Sequence, residues 1–253
     1  MDLLIDIGNT RIKWTALAGS RLASQSAAPY AGWDAAQLRE QMLANLSNPT
    51  RVFVANVGGP SIATLVTATI EDAFGITPHF VHSSAVAAGV KSAYRNPEQL
   101  GVDRWLAMIG AYQLERVAAC VVSVGTAMTV DGVDASGQHL GGIIVPGPDL
   151  MVDSLYRNTS DIASRALTGS EGTSLFADNT QAAVHQGVIH SLAATIERTC
   201  HDMYARFDKM PALLITGGAS GRITGALRVP FRIVPDLVLR GLAEIVRRID
   251  ASI

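Results

Sequence analysis

Cysteine is scarce in this chain, which has two, Cys120 in an apolar strand-like run and Cys200 in a helical one. Neither has a second Cys or a His at metal-ligand spacing, and Cys200 and His201, as neighbours on a helix, point away from one another. Two buried, reduced thiols are expected, and no zinc. Concentrated positive charge is also missing: no Lys/Arg run exceeds two residues, the net charge is −2 and the pI is near 6.3. No nucleic-acid surface is expected from such a chain. Long apolar runs are absent as well, none approaching the roughly 20 residues needed to span a bilayer. Asp2 and Asp6 stand where a secretory signal would carry basic residues. These absences lead to the expectation of a soluble cytoplasmic protein with no membrane partner. What the chain has in quantity is core-forming material, with 48% hydrophobic and 17% charged residues over 253 positions. At roughly 100–200 residues per domain, two domains are favoured.

The stretch Leu3-Leu4-Ile5-Asp6-Ile7-Gly8-Asn9-Thr10-Arg11-Ile12-Lys13-Trp14 reads as two strands meeting at a polar turn. Gly8 and Asn9 tolerate positive φ and so could turn main-chain N–H groups inward together, and Thr10 adds a hydroxyl. Such a concavity suits phosphate oxygens. Asp6 would repel bare phosphate but is well placed to hold the water shell of a Mg2+ riding on it, which implies a metal nucleotide. The same pattern also fits an ordinary turn capped by Asp.

A second copy separates these readings. Val121-Val122-Ser123-Val124-Gly125-Thr126-Ala127-Met128-Thr129-Val130-Asp131 repeats the apolar strand, glycine, hydroxyl-bearing turn and alternating strand, and Gly8 and Gly125 lie 117 positions apart, near half the chain. Two facing strand-turn-strand phosphate loops are the signature of the actin-like ATPase and sugar-kinase superfold. The expected fold is therefore α/β, with two duplicated ribonuclease-H-like domains over 1–117 and 118–253 and a nucleotide cleft between them. Leu213 to Ser220, a buried-strand run ending in Gly217-Gly218, fits the place where that superfold brings main chain near the adenosine.

In chain order, the hairpin is followed by a third strand at 21–28, a helix at 34–46 with Asp34 as N-cap, a strand at 51–57, a helix at 61–74 and a short strand at 79–81. Asn56 reads as a cap of the Gly58-Gly59 turn, or else as a residue facing the cleft. A loop then delivers Gly101-Val102-Asp103-Arg104 to a helix at 106–114. Asp103 is either a catalytic carboxylate or a residue favouring the helix dipole, in which case Arg104 is solvated. The second half predicts strands at 121–124, 128–133 and 139–145, a helix at 149–158, a looser polar stretch at 159–172 and a long helix at 181–207. Strands at 213–216 and 231–234 and a helix at 237–249 close the chain.

Taken together, Asp6 to Thr10, Gly101 to Trp105, Gly125-Thr126-Ala127, Gly141-Gly142 with Pro146-Gly147, Asn179-Thr180, Thr216-Gly217-Gly218 and Leu237 to Leu242 resemble the type III pantothenate kinases, in order and over essentially the whole chain. The resemblance implies ATP-dependent phosphorylation of pantothenate, the first step of coenzyme A synthesis, by a homodimer whose substrate site lies near the subunit interface. It implies that Asp6, Ile7, Gly8, Asn9, Thr10, Arg11, Ile12 and Lys13 form the first phosphate loop, with Asp6 holding Mg2+ through water, and that Thr126 contacts ATP. Asp103 would be the base, and Tyr94, Gly101, Val102, Asp103, Arg104 and Thr180 would hold pantothenate. One position departs from the family: the second loop usually begins with an Asp that helps hold a monovalent cation, K+ or NH4+, and here it is Ser123. Asp131 would then either compensate or serve in a surface turn. The competing readings are another small-molecule kinase of the superfold, or a nucleotide-binding regulatory accessory protein.

Overall fold

A computed structural model of the chain describes residues 1–44, 46–162, 164 and 174–251. Part of the polar stretch expected at 159–172 lies outside the described residues. Contacts divide the chain into two units: Met1–Arg116 with Ala135–His139 and Asp236–Ile253, and Val117–Asp134 with Leu140–Pro235. The boundary drawn at 117/118 therefore needs revision, since the C-terminal helix and the 135–139 segment pack in the first unit.

In the first unit, β1 (Asp2–Ile7) pairs antiparallel with β2 (Arg11–Ala18) and parallel with β5 (Arg51–Asn56), which pairs with β6 (His79–Phe80). β1 is buried along its whole length, its apolar Leu3, Leu4, Ile5 and Ile7 together with Asp2 and Asp6, as befits a central strand. The single strand expected at 21–28 is two short ones, β3 (Arg21–Leu22) and β4 (Ser26–Pro29), both paired with β2. Between them the Thr15 hydroxyl donates to Ala23 O at 2.9 Å, taking a carbonyl that a continuous ladder would use.

Asp34 caps α1 (Ala35–Leu38) in a reciprocal capping box with Gln37, and the chain continues as a π-helical turn over Arg39–Leu43. α2 (Pro60–Phe74) stops at Gly75 in the left-handed conformation. A hairpin with no counterpart in the sequence reading, β7 (Val86–Ala87) and β8 (Val90–Lys91), turns at Ala88 and Gly89, both at positive φ. Alanine there gives no turn signal.

α3 (Val102–Glu115) packs on the last helix of the chain, Leu237–Asp250. The crossing is close because glycine stands on both sides: a Cβ on Gly110 would lie 2.4 Å from Leu237 O, and one on Gly241 would lie 1.9 Å from Leu106 O. Arg51 adds a tie, bonding Asp2 and Asp250 together.

The second unit repeats the strand order. β9 (Ala119–Val124) pairs antiparallel with β10 (Ala127–Val133) and parallel with β12 (Ala212–Thr216), with β11 (His139–Pro146) and β13 (Arg232–Ile233) at the edges. This equivalence of β1-β2-β5-β6 and β9-β10-β12-β13 is the duplication read from Gly8 and Gly125. α4 (Pro148–Asn158) packs on α5 (Thr180–Phe207), and α6 (Gly221–Thr224) is a further short turn. Numbered on, the C-terminal helix is α7. Cys120 and Cys200 are both buried in this unit's core as free thiols.

Candidate active site

In the first unit, β1 and β2 pair Asp6 with Lys13 and Ile7 with Ile12, so Gly8, Asn9, Thr10 and Arg11 form the tip. Ile7 and Ile12 bury their side chains in the core and can offer a ligand only main chain. The tip closes with Gly8 N–H donating to Arg11 O at 3.0 Å. Contrary to expectation, neither Gly8 nor Asn9 has positive φ.

The loop is shaped instead by what lies against it. A Cβ on Gly58 would be 2.8 Å from Gly8 O, and the Tyr30 hydroxyl sits 2.7 Å from Gly8 O and 3.0 Å from Asn9 O, so the carbonyl edge of the loop is occupied. Asn56 accepts from Gly58 N–H and donates to Gly59 O, both at 2.9 Å, which makes it the cap of that turn. Tyr30 carried no signal in the sequence, because its role depends on a contact across 22 residues.

Asp6 is 6% exposed, with Lys13 Nζ 3.8 Å from its carboxylate. Burial pushes its pKa up to about 6; Lys13 pulls it down, and the negative charge of Asp103 raises it again. Asp6 and Asp103 therefore feel one another, and a cation beside them would relieve both.

α3 begins at Val102, so Asp103 and Arg104 belong to its first turn rather than to a loop before it. The Asp103 carboxylate folds back to accept from Arg104 N–H at 2.8 Å, over the position where a Cβ on residue 101 would come within 2.7 Å of it. Gly101 makes that fold-back possible. Arg104 is 5% exposed, donates to the Tyr94 hydroxyl at 3.0 Å and holds its guanidinium 5.8 Å from the centre of the Tyr94 ring. The solvated alternative for Arg104 is thereby overturned. Beside Gly101 and Val102 opens a cavity of about 590 Å³ bordered by His82, Ser83, Glu98 and Gln99.

In the second unit, Gly125 and Thr126 form the exposed tip of β9–β10, closed by Gly125 N–H donating to Ala127 O at 2.9 Å. Gly147, the cap of α4, donates to Thr126 O at 2.8 Å, and a Cβ on it would strike Gly125 O at 2.0 Å. Gly217, at φ +98°, runs against Val124, where a Cβ would meet the carbonyl at 2.2 Å. The glycine after β12 thus rests on the end of β9 as Gly58 rests on the end of β1.

Ser123 is half-buried between Thr129 and Thr216 on the neighbouring strands. Asp131 pairs with Val121 and is 2% exposed. It lies on the same sheet face as Ser123, in mid-strand and not in a surface turn. Thr180 opens α5, whose first turn is capped by Asn179 accepting from Ala182 N–H at 3.0 Å. Among the described residues, no three His, Cys, Asp or Glu side chains gather as a metal site, and no helix is long and apolar enough to cross a membrane.

Two units of one strand order, each carrying a glycine-buttressed hairpin loop, define a member of the actin-like ATPase superfold. The same fold occurs in the activator of 2-hydroxyisocaproyl-CoA dehydratase from Clostridium difficile, solved with bound ADPNP (TM-score 0.54, 12% identity, 98% of this chain and 93% of that one). It occurs again in component A of (R)-2-hydroxyglutaryl-CoA dehydratase from Acidaminococcus fermentans (TM-score 0.53, 14% identity, 98% and 96%). In sequence, the family model for type III pantothenate kinase matches residues 2–202. The type III pantothenate kinase of Aromatoleum aromaticum is 41% identical over the full length of both chains, and that of Nitrosococcus oceani 36% identical over 98% of this chain and 94% of that protein. The chain belongs to the type III pantothenate kinase family, and is an ATP-using kinase.

Proposed function

We propose that this enzyme transfers the γ-phosphoryl group of ATP to the primary hydroxyl of pantothenate, giving 4'-phosphopantothenate for coenzyme A synthesis in the cytoplasm. The observation that carries the residue assignment is the convergence, in one unit, of the Gly8–Arg11 loop, buried Asp6 and the Asp103 carboxylate with its neighbour Arg104. Main-chain N–H groups and Thr10 of the first loop, with Thr126 of the second, bind the phosphates. Asp103 orients the acceptor hydroxyl and takes its proton. Because phosphoryl transfer passes through a loose transition state, that proton leaves late and a carboxylate suffices as base.

The donor set fits a divalent ion carried by the nucleotide: Asp6 is a buried acid with a second acid in electrostatic range and with Lys13 3.8 Å from its carboxylate. Asp6 would hold Mg2+ through its water, and Mg2+ when bound would neutralise charge on the transferring group. Arg104, fixed by Tyr94, supplies the cation for the pantothenate carboxylate, and Thr180 a hydroxyl for its polar middle.

Ser123 occupies the monovalent-cation position with one negative charge fewer than the family pattern, so K+ or NH4+ dependence is weakened. Asp131 places a carboxylate on the same sheet face. The resemblance to the type III pantothenate kinases supports a homodimer.

The test is a coupled assay of purified protein with ATP, Mg2+ and pantothenate, with and without K+. Formation of phosphopantothenate is expected. Phosphorylation of a sugar or an acyl acid, with no phosphopantothenate, would overturn the assignment.

A further inference from the structure

We infer that His139 is a positioning residue for pantothenate, setting Tyr94 and, through it, Arg104; this rests on the reading that Tyr94 and Arg104 hold that substrate. His139 begins β11, yet the segment Ala135–His139 belongs to the first unit. The segment is locked onto the β7–β8 hairpin. Lys91 N–H donates to Gly137 O at 2.9 Å, the Gln138 side chain donates to Lys91 O at 3.3 Å, and Gly137, at φ +87°, approaches so closely that a Cβ would lie 2.0 Å from Gly89 O.

This anchoring leaves His139 1% exposed and in contact with the chain at Tyr94 in two ways. Its Nδ1 accepts from Ala93 N–H at 3.3 Å, and its ring lies against the Tyr94 ring with centroids 6.0 Å apart and planes 14° from parallel. Tyr94 in turn accepts from the Arg104 guanidinium at its hydroxyl. The main chain one residue before the tyrosine and the tyrosine ring are therefore both held by one imidazole. Arg104, a buried cation, gives one of its guanidinium bonds to that tyrosine, and losing an acceptor at a buried charge costs free energy. Without His139 the Tyr94 ring regains rotamer freedom, and substrate binding has to supply the ordering.

Three variants of the full chain separate the two contacts. His139→Ala removes both, His139→Phe keeps the ring, and His139→Asn keeps an acceptor near Nδ1. For His139→Ala we expect the pantothenate KM to rise roughly tenfold, the combined scale of one aromatic pair and one hydrogen bond, with kcat and the ATP KM within about twofold. His139→Phe and His139→Asn should each recover part of the loss, and they decide the matter alone if the alanine variant does not fold. In a Tyr94→Ala background, His139→Ala should add almost nothing.

The inference is overturned if Tyr94→Ala raises the pantothenate KM while the His139 variants leave it unchanged, or if they raise the KM of both substrates together. If Tyr94→Ala and Arg104→Lys themselves leave the pantothenate KM unchanged, the substrate-site reading fails and the inference falls with it.

Discussion

Asp6→Asn should make the nucleotide-free protein more stable at neutral pH while impairing its use of Mg2+. Folding raises the Asp6 pKa from an ordinary 3.8 to about 6, chiefly through burial, with Asp103 adding to the rise and Lys13 opposing it. An acid with a raised pKa holds its proton more tightly when folded, so stability falls as pH climbs from about 4 to about 6 and the full penalty applies above that. At about 1.4 kcal/mol per pKa unit the penalty is about 3 kcal/mol near pH 7.5, and the linkage relation leaves about 1 kcal/mol of it near pH 4.5.

Asparagine keeps the shape and removes the charge, so urea unfolding of the variant and parent should differ by up to those amounts at the two pH values. The loss of Lys13's partner is already contained in the net shift. Activity should then require more Mg2+, because the group that holds its water shell is neutral. A variant less stable than its parent near pH 7.5, or one stabilised equally at both pH values, would refute the reasoning. Normal Mg2+ dependence would remove Asp6 from the metal role.

Asp103→Asn should lower kcat by on the order of 100-fold or more with nucleotide affinity retained, measured by steady-state kinetics and nucleotide titration; an unchanged kcat would leave Asp103 only its place in the first turn of α3. Gly241→Ala should destabilise the first unit by roughly 3 kcal/mol or more, the upper range for forcing atoms into a packed contact, since its Cβ would fall 1.9 Å from Leu106 O; urea unfolding with the melting profile of the parent would contradict the close helix crossing. Ser123→Asp should increase the apparent affinity for K+ without changing the pantothenate KM, and tight K+ activation in the unmodified protein would mean that the cation is held elsewhere.

Much of the fold is legible in sequence because its elements are encoded by local period and punctuation. The apolar run before Asp6, the alternation after Thr10 and their repetition around Gly125 specify two central hairpins, and Asp34 announces its helix as a cap. The chemistry-bearing types at the loop tips, and their order along the chain, are likewise properties of the sequence alone. What the tertiary structure decided concerns contacts between residues far apart. The Leu237–Asp250 helix lies with the first unit because Gly110 and Gly241 let two backbones touch, a pairing no local pattern reveals. Arg104 looks like any surface cation until Tyr94 and the packed face of α3 bury it. The Gly8 loop takes its shape from Tyr30 and Gly58 rather than from its own φ angles, and His139 reaches Tyr94 only because Gly137 can meet Gly89 main chain to main chain. Local periodicity is set by bonds within a few residues, whereas burial and close approach depend on which distant surfaces meet, and that is determined only when the whole core packs.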